Sequence, residues 1–308
     1  MKLVVFGGGG FIGSAICDRL LKDNHELRIF ERPRVPPYRE FTSNEKVEWI
    51  TGDLGNTHDL NDAIQGMDGV VHLVSTTLPK SSNDDPVYDV QTNVIPALHM
   101  LNAMVSQKVS RIVFISSGGT VYGHPQYTPI DENHPTEPVV SYGITKLAIE
   151  KYLYMYSKLY GIKAVTLRVA NPYGERQRVE TAQGAVGIFL YNVLKGQPIE
   201  IWGDGSVQRD YIHVSDVADA FAKAIDYNGN KQCFNISSGT GTSLNDLIHM
   251  MQQVVCKPIK VNYKPGRSFD INISVLSNDL ARDELGWVPK VTMQEGLLRA
   301  AEWIKQKL

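Results

Sequence analysis

Cysteine is scarce in this chain, with three in 308 residues, Cys17, Cys233 and Cys256. They are scattered and show none of the paired spacings of a metal site or a disulfide framework, so no metal is expected, and free thiols in a reducing compartment are. An excess of either charge is also missing. The formal net charge is -2 and the isoelectric point is near 6.5, which removes the usual basis for binding nucleic acid or an anionic membrane surface. Long apolar runs are absent, so no bilayer span is expected. The first such run, 3–6, is too short for a signal peptide and ends in glycines. Internal repeats and low-complexity linkers are absent as well. These absences describe a soluble, cytoplasmic protein, and its 43% apolar composition suffices for one large domain or two smaller ones.

Short apolar runs predict strands at 3–6, 27–30, 47–50, 70–74, 112–115 and 164–167. Helical segments are predicted over 11–21, 59–65, 87–107 and 142–160, with Pro96 kinking or splitting the third. Strand and helix alternate, which gives an α/β fold: a doubly wound parallel sheet of the Rossmann kind with helices on both faces. Past residue 170 glycines and prolines interrupt the pattern. A helix over 214–227 and a strand over 233–236 are expected to return to the sheet, and 243–255 and 276–308 are mostly helical. The expected division is a dinucleotide-binding domain of 1–170 with 211–236, and a smaller discontinuous carboxyl-terminal lobe of 171–210 with 237–308.

Gly7, Gly10 and Gly13 stand between the first strand and the first helix, with Phe11 and Ile12 among them. Glycines there permit a tight turn and let backbone N–H groups approach a pyrophosphate at a helix amino terminus. Glu31 ends the second strand, where a carboxylate takes ribose hydroxyls and favours NAD over NADP. Arg32 could instead pair with a 2′-phosphate, or be a solvated surface charge. Asp53 and Leu54 follow the third strand, where they either touch the adenine or form an ordinary loop. Tyr142 and Lys146 are four apart and so share a helix face. A near ammonium favours phenolate, so the expected Tyr142 pKa is low. Such a tyrosine can move a proton while a dinucleotide moves a hydride.

In order along the chain come Gly7-x-x-Gly10-x-x-Gly13, Asp53-Leu54, Asn93, the segment Ser116-Ser117-Gly118-Gly119-Thr120-Val121-Tyr122-Gly123, and Tyr142-x-x-x-Lys146. Arg168-x-x-Asn171-x-Tyr173-Gly174, Gly203-x-Gly205-x-x-x-Arg209-Asp210 and Leu285-Gly286-Trp287 follow. Over essentially its whole length the chain resembles the extended short-chain dehydrogenase/reductase superfamily, the NAD-dependent epimerases and dehydratases of nucleotide sugars. Within it, the chain is most similar to the UDP-glucose 4-epimerase-like proteins. The resemblance implies that Tyr142 is the catalytic acid/base and that Lys146 holds the nicotinamide ribose and depresses the phenol. It implies that Asp53, Leu54, Leu73 and Asn93 join the glycine loop along the NAD. It also implies that Asn171, Arg209 and Arg267 bind the substrate diphosphate, sugar and nucleoside; alternatively Arg209 is in a structural salt bridge with Asp210 and Arg267 is a solvated loop arginine. Ser274 is placed near the sugar C2 substituent.

The chain departs from the family pattern at Gly118, where the resemblance calls for a serine or threonine that handles the sugar hydroxyl. Thr120 or Ser117 can replace it. Thr120 is preferred because it lies two residues on at a strand end and shares a face with position 118. Alternatively both hydroxyls only satisfy turn backbone. Family dehydratases carry an Asp-Glu pair where Gly119 and Thr120 stand, and the 3,5-epimerase/reductases place a cysteine near this segment. Neither feature is present, which leaves redox chemistry at a single carbon, C4.

The expected function is therefore an NAD-dependent 4-epimerase of a UDP- or dTDP-linked sugar. A 4-ketoreductase of a dTDP-4-keto-6-deoxy sugar that consumes NAD(P)H uses the same residues. A non-catalytic dinucleotide-binding protein is the third reading, motivated by Gly118. The charged run 175–178 either faces the sugar or is a solvated loop. The resemblance implies a homodimer through the helices at 87–107 and 142–160. Ala148, Ile149, Tyr152, Leu153 and Tyr156 form an apolar stripe that suits either that contact or the core.

Overall fold

The computed structural model describes residues 1–178, 184–266 and 271–308. The first half runs β1 (Lys2–Phe6), α1 (Phe11–Lys22), β2 (Glu26–Glu31), β3 (Val47–Thr51), α2 (Thr57–Ile64), β4 (Gly69–His72), α3 (Pro86–Asp89), a π-helical turn (Val90–Val94), α4 (Ile95–Ser106), β5 (Arg111–Ser117), α5 (Ser141–Tyr160) and β6 (Lys163–Val169). Then follow β7 (Asn171–Tyr173), α6 (Ala185–Leu194), β8 (Ile199–Trp202), β9 (Gln208–His213), α7 (Val214–Asp226), β10 (Cys233–Ile236), β11 (Gly241–Ser243), α8 (Leu244–Val255), β12 (Val261–Lys264), β13 (Ile273–Ser274), α9 (Asp279–Leu285) and α10 (Met293–Lys305).

Seven strands form one parallel sheet in the order β10-β6-β5-β4-β1-β2-β3. β4 is buried throughout and β1 is buried after its first residue, as expected for parallel strands covered on both faces. Side chains of α1, α7 and α9 pack one face, and those of α2, α4 and α5 pack the other. The strand order reverses between β1 and β4, so the crevice at their carboxyl ends is where such a fold binds ligands. The doubly wound sheet expected from the alternation is thus present.

Pro96 does split its helix. It falls in the first turn of α4, directly after the π-helical turn, where a missing N–H costs little. The stretch after residue 170 holds more regular structure than the sequence suggests. β7, β11 and β13 all pair with β9, β12 pairs with β8, and α6, α8 and α10 enclose a third apolar cluster. Two buried carboxylates tie this region down. Asp210 accepts N–H groups of Ser238, Gly239 and Leu276, and Asp216 accepts those of Lys290 and Val291. Asp210 therefore clamps backbone, and its expected pairing with Arg209 is corrected. Among the described residues no helix is long and apolar enough to cross a membrane.

Candidate active site

A row of rings crosses the sheet beneath the crevice. Phe6 pairs with Phe30 on one side and His72 on the other, and His72 pairs with Phe114. Ring centroids are 5.1 Å apart for Phe6–Phe30, 6.3 Å for Phe6–His72 and 5.5 Å for His72–Phe114. Burial pushes His72 down to about 3, helped by the Lys146 charge, so the row is neutral at working pH. Lys146 Nζ lies 4.8 Å from the Phe114 ring centroid and donates to the Ile115 carbonyl at 3.0 Å. The glycine loop follows Phe6, and Glu31 ends the neighbouring strand. From Glu31 to Lys146 the crevice thus crosses β2, β1, β4 and β5, three strand spacings or roughly 14 Å.

α1 starts at Gly10 without a side-chain cap, which leaves first-turn N–H groups to an anion. A Cβ at Gly13 would be driven into the Gly7 carbonyl oxygen, so the helix can approach the loop this closely only with glycine. Gly7 itself has φ +86°, in the region that favours glycine. Phe11 and Ile12 form the first turn. Leu73 follows β4 and donates its N–H to Phe6, beside Gly7. Glu31 accepts the Gly9 N–H at 2.8 Å, and burial raises its carboxyl against that bond and the Arg32 charge. Arg32 is exposed. Asp53 uses one carboxylate oxygen on the Gly55 N–H, and Leu54 is buried behind it. An uncapped helix start, a side-chain-free cradle and a carboxylate at the end of β2 fit the pyrophosphate and ribose of a dinucleotide.

Tyr142 is half-buried in the first turn of α5, and Lys146 is buried one turn on. The ammonium lies 5.6 Å from the Tyr142 ring centroid. The expected low phenol pKa is corrected: burial pushes Tyr142 up to about 12, and the Asp89 carboxylate adds to the rise. Burial also brings Lys146 down to about 8, against the pull of Asp89 and Glu150. Asn93, in the π-helical turn, does not stand alone. Its amide holds the Thr76 N–H at 3.0 Å and donates to Asp89 Oδ1 at 2.8 Å.

The hydroxyl segment explains its own departure. A Cβ at Gly118 would strike Leu276 Cδ1 and lie 3.2 Å from the Arg168 carbonyl oxygen, so Leu276 fills the space a residue-118 side chain would need. Gly118→Ser is expected to destabilise the protein by about 1–3 kcal/mol through overpacking. Combining it with Leu276→Ala should give a loss smaller than the sum of the single losses, read from denaturant midpoints. Strict additivity would show that Leu276 is not the obstruction. Thr120 Oγ1 is shielded from solvent and, among the described residues, makes no hydrogen bond. The Thr120 backbone abuts Gly143, the neighbour of Tyr142, where a Cβ would lie 2.8 Å from the Thr120 carbonyl oxygen. Ser117 ends β5, half-buried.

On the other side, Asn171 and Arg209 line a cavity of about 340 Å³ with apolar walls from Val186, Phe189 and Trp202. Asn171 donates to the Asp210 carbonyl at 2.9 Å, and Arg209 to the Ile271 carbonyl at 2.7 Å. Ser274 is buried and pairs in register with Arg209. Arg267 lies outside the described residues. The run after β7 is committed elsewhere: Glu175 meets Arg299 and His213, Arg176 meets Asp18, and the Arg178 guanidinium lies over the Tyr38 ring.

Residues 3–237 match the family model described as the NAD dependent epimerase/dehydratase family. The chain belongs to that family. It is 35% identical over 312 residues to a UDP-glucose 4-epimerase of Mycolicibacterium smegmatis, covering 100% of this chain and 99% of that one. It is also 30% identical over 311 residues to a dTDP-4-dehydro-6-deoxyglucose reductase of Escherichia coli, covering 99% and 98%. The crystal structure of a Thermotoga maritima UDP-glucose 4-epimerase with UDP-glucose superposes with a TM-score of 0.94 at 31% identity, covering 100% and 99%.

Within this epimerase/dehydratase chain the buried carboxylates Glu150 and Asp89 escaped the sequence reading. Glu150 and Arg168 form an ion pair at 2.7 Å, and Ser116 Oγ donates to Glu150. Asp89 collects hydrogen bonds from three segments around Tyr142. The four-residue spacing of Asp89 and Asn93 is the one signal that could have found it, being the same helical spacing that exposes Tyr142 and Lys146.

Proposed function

We propose that the protein is an NAD-dependent nucleotide-sugar 4-epimerase of the UDP-hexose type. One observation carries this reading: the Tyr142–Lys146 pair and the uncapped glycine-loop helix open onto one crevice of a chain that matches 4-epimerases over its full length. Tyr142 takes and returns the proton of the C4 hydroxyl. Lys146, fixed by Ile115, holds the nicotinamide ribose and keeps its charge near the phenol. Gly7, Gly10, Phe11, Ile12 and Gly13 cradle the pyrophosphate, Glu31 takes the adenosine ribose, and Asp53, Leu54, Leu73 and Asn93 line the rest. Bound NAD supplies the hydride acceptor and donor and the positive charge of the oxidised nicotinamide. Thr120 takes the part of the missing residue-118 hydroxyl, because its shielded Oγ1 makes no hydrogen bond among the described residues and its backbone sits against the turn that carries Tyr142. Asn171, Arg209, Ser274 and Arg267 bind the nucleotide sugar, in the lobe formed by 171–210 with 237–308.

The test is incubation of the purified protein with UDP- and dTDP-sugars, with and without added NADH or NADPH, while following stereochemistry at C4. Inversion without net cofactor loss is the expected result. Stoichiometric NAD(P)H consumption with a 4-keto sugar would support the reductase reading, which the similarity to the Escherichia coli reductase favours as second. Dinucleotide binding with no turnover of any sugar would leave only a binding protein.

We further infer a homodimer, in a reducing cytoplasm that suits three free cysteines. Ile149, Leu153 and Tyr156 of the expected stripe belong to the core. The unpartnered face of α5 is instead Ile144, Met155 and Leu159, beside the half-buried Ala148 and Tyr152, and Val87, Tyr88, Val90 and Ile95 add exposed apolar surface from the helices before it.

A further inference from the structure

Asp89 is fully buried, yet the residues assigned above give it no task. Its Oδ1 accepts Thr77 Oγ1 at 2.6 Å and Asn93 Nδ2 at 2.8 Å. Its Oδ2 accepts Ser141 Oγ at 2.6 Å and Thr145 Oγ1 at 3.4 Å. Thr77 belongs to the loop after β4, Asn93 to the π-helical turn, and Ser141 and Thr145 to the first turn of α5, on either side of Tyr142. Thr145 Oγ1 also donates to the Tyr142 carbonyl at 3.0 Å. The same loop is held a second time, by Asn93 on Thr76 and by Asn83 Oδ1 on the Ser141 N–H at 2.8 Å. One carboxylate thus ties together three chain segments that share no regular hydrogen-bonded structure.

Four side-chain donors converge on this one buried carboxylate. A structural role alone could be filled by an amide or a water. What an amide lacks is the charge, and that charge stands beside Tyr142. We propose that Asp89 is a positioning residue of the active site: it fixes the start of α5 through Ser141 and Thr145, and it sets a carboxylate against the turn that carries Tyr142. This deepens the epimerase reading and rests on it.

The other charged and titratable groups on the elements around α5 do not substitute for Asp89. Glu150 is closed in its pair with Arg168, and His72 is neutral. Arg111 and Lys163 begin β5 and β6, at the far end of the sheet from Ser117. Asp84 and Asp85, before α3, are exposed, and His99 lies on α4. Lys146 is the one cation on the Tyr142 face of α5, and its Nζ is bonded to Ile115. The rise of the phenol to about 12 has burial as its first cause and Asp89 as its second, in line with this geometry.

The experiment uses the full chain carrying tyrosine labelled with ¹³C at Cζ, the Tyr142 resonance being identified by its loss in Tyr142→Phe. In Asp89→Asn the phenol should titrate at least about one pH unit lower than in the wild type. The limb of the kcat–pH profile that reports the same group should move down with it. Ser141→Ala keeps the charge, and should leave the titration in place while lowering kcat more than it changes KM. A folded Asp89→Asn protein with unchanged titration and profile would overturn the proposal. Should Asp89→Asn not fold, the Ser141→Ala/Thr145→Val pair decides: a loss of kcat at constant KM supports the positioning role, and full kcat overturns it. The resonance is read without any sugar, so absence of turnover on every nucleotide sugar would defeat the epimerase reading and leave the Asp89 result standing.

Discussion

Tyr142→Phe is expected to lower kcat by about 10²–10⁴-fold while leaving dinucleotide binding within a few-fold of the wild type. The substitution removes one oxygen from a half-buried ring and disturbs little else. Lys146 keeps its bond to Ile115, and the first turn of α5 keeps its hydroxyls on Asp89. The size of the effect follows from where the phenol sits. At about 12 it is protonated at neutral pH, and ionising it there costs roughly 7 kcal/mol. A cation within about 4 Å at an effective dielectric of about 20 returns about 4 kcal/mol, near three pKa units. On the proposed reading the group would therefore be idle alone and would ionise only beside an oxidised nicotinamide, a dependence phenylalanine cannot reproduce. Steady-state kcat, with bound dinucleotide quantified after denaturation, checks this. A Tyr142→Phe protein with kcat close to the wild type would remove the acid/base assignment.

Much of this arrangement was legible in the chain because it is local. Strands β1, β4, β5 and β6 show as apolar runs, since a parallel strand buried on both faces must be apolar at nearly every position. Tyr142 and Lys146 were found from four-residue spacing, and Gly7, Gly10 and Gly13 from their place between a strand and a helix. What was missed is non-local or aperiodic. α6 is apolar nearly all round, so it shows no amphipathic period, and it begins at a glycine that caps nothing with its side chain. The short strands around β9 carry two to four residues each, too few for alternation to register. Gly118 looked like a lost hydroxyl, and only the packing of Leu276, far along the chain, shows what took its place. The sign of the Tyr142 shift failed for the same reason. The helical neighbour argues for a low pKa, but burial and a carboxylate 52 residues before Ser141 outweigh it.

Lys146→Met separates stability from function. The variant should lose kcat by about 10²-fold or more, yet be more stable at pH 7 than the wild type by roughly 1–3 kcal/mol in the cofactor-free protein. Burial takes Lys146 from 10.5 down to about 8, so the charged form is penalised in the folded state. Between pH 8 and 10.5 the unfolded chain binds more protons at this site than the folded one, so this residue's contribution to stability rises with pH through that window. Below about pH 8 the penalty is constant, at most roughly 3 kcal/mol. Methionine occupies similar space without the charge. The cost is a donor lost from the Ile115 carbonyl, about 1 kcal/mol, which sets the lower end of the range. Neither nearby carboxylate is stranded, because Glu150 keeps Arg168 and Ser116, and Asp89 keeps its four donors. Urea unfolding of both proteins at pH 7 and pH 10 reads the difference, and other titrating groups cancel between them. The advantage of the variant should shrink at pH 10. A variant less stable than the wild type at pH 7 would mean that the ammonium is held by its partners more strongly than burial opposes it, and that the site is not strained for the sake of its chemistry.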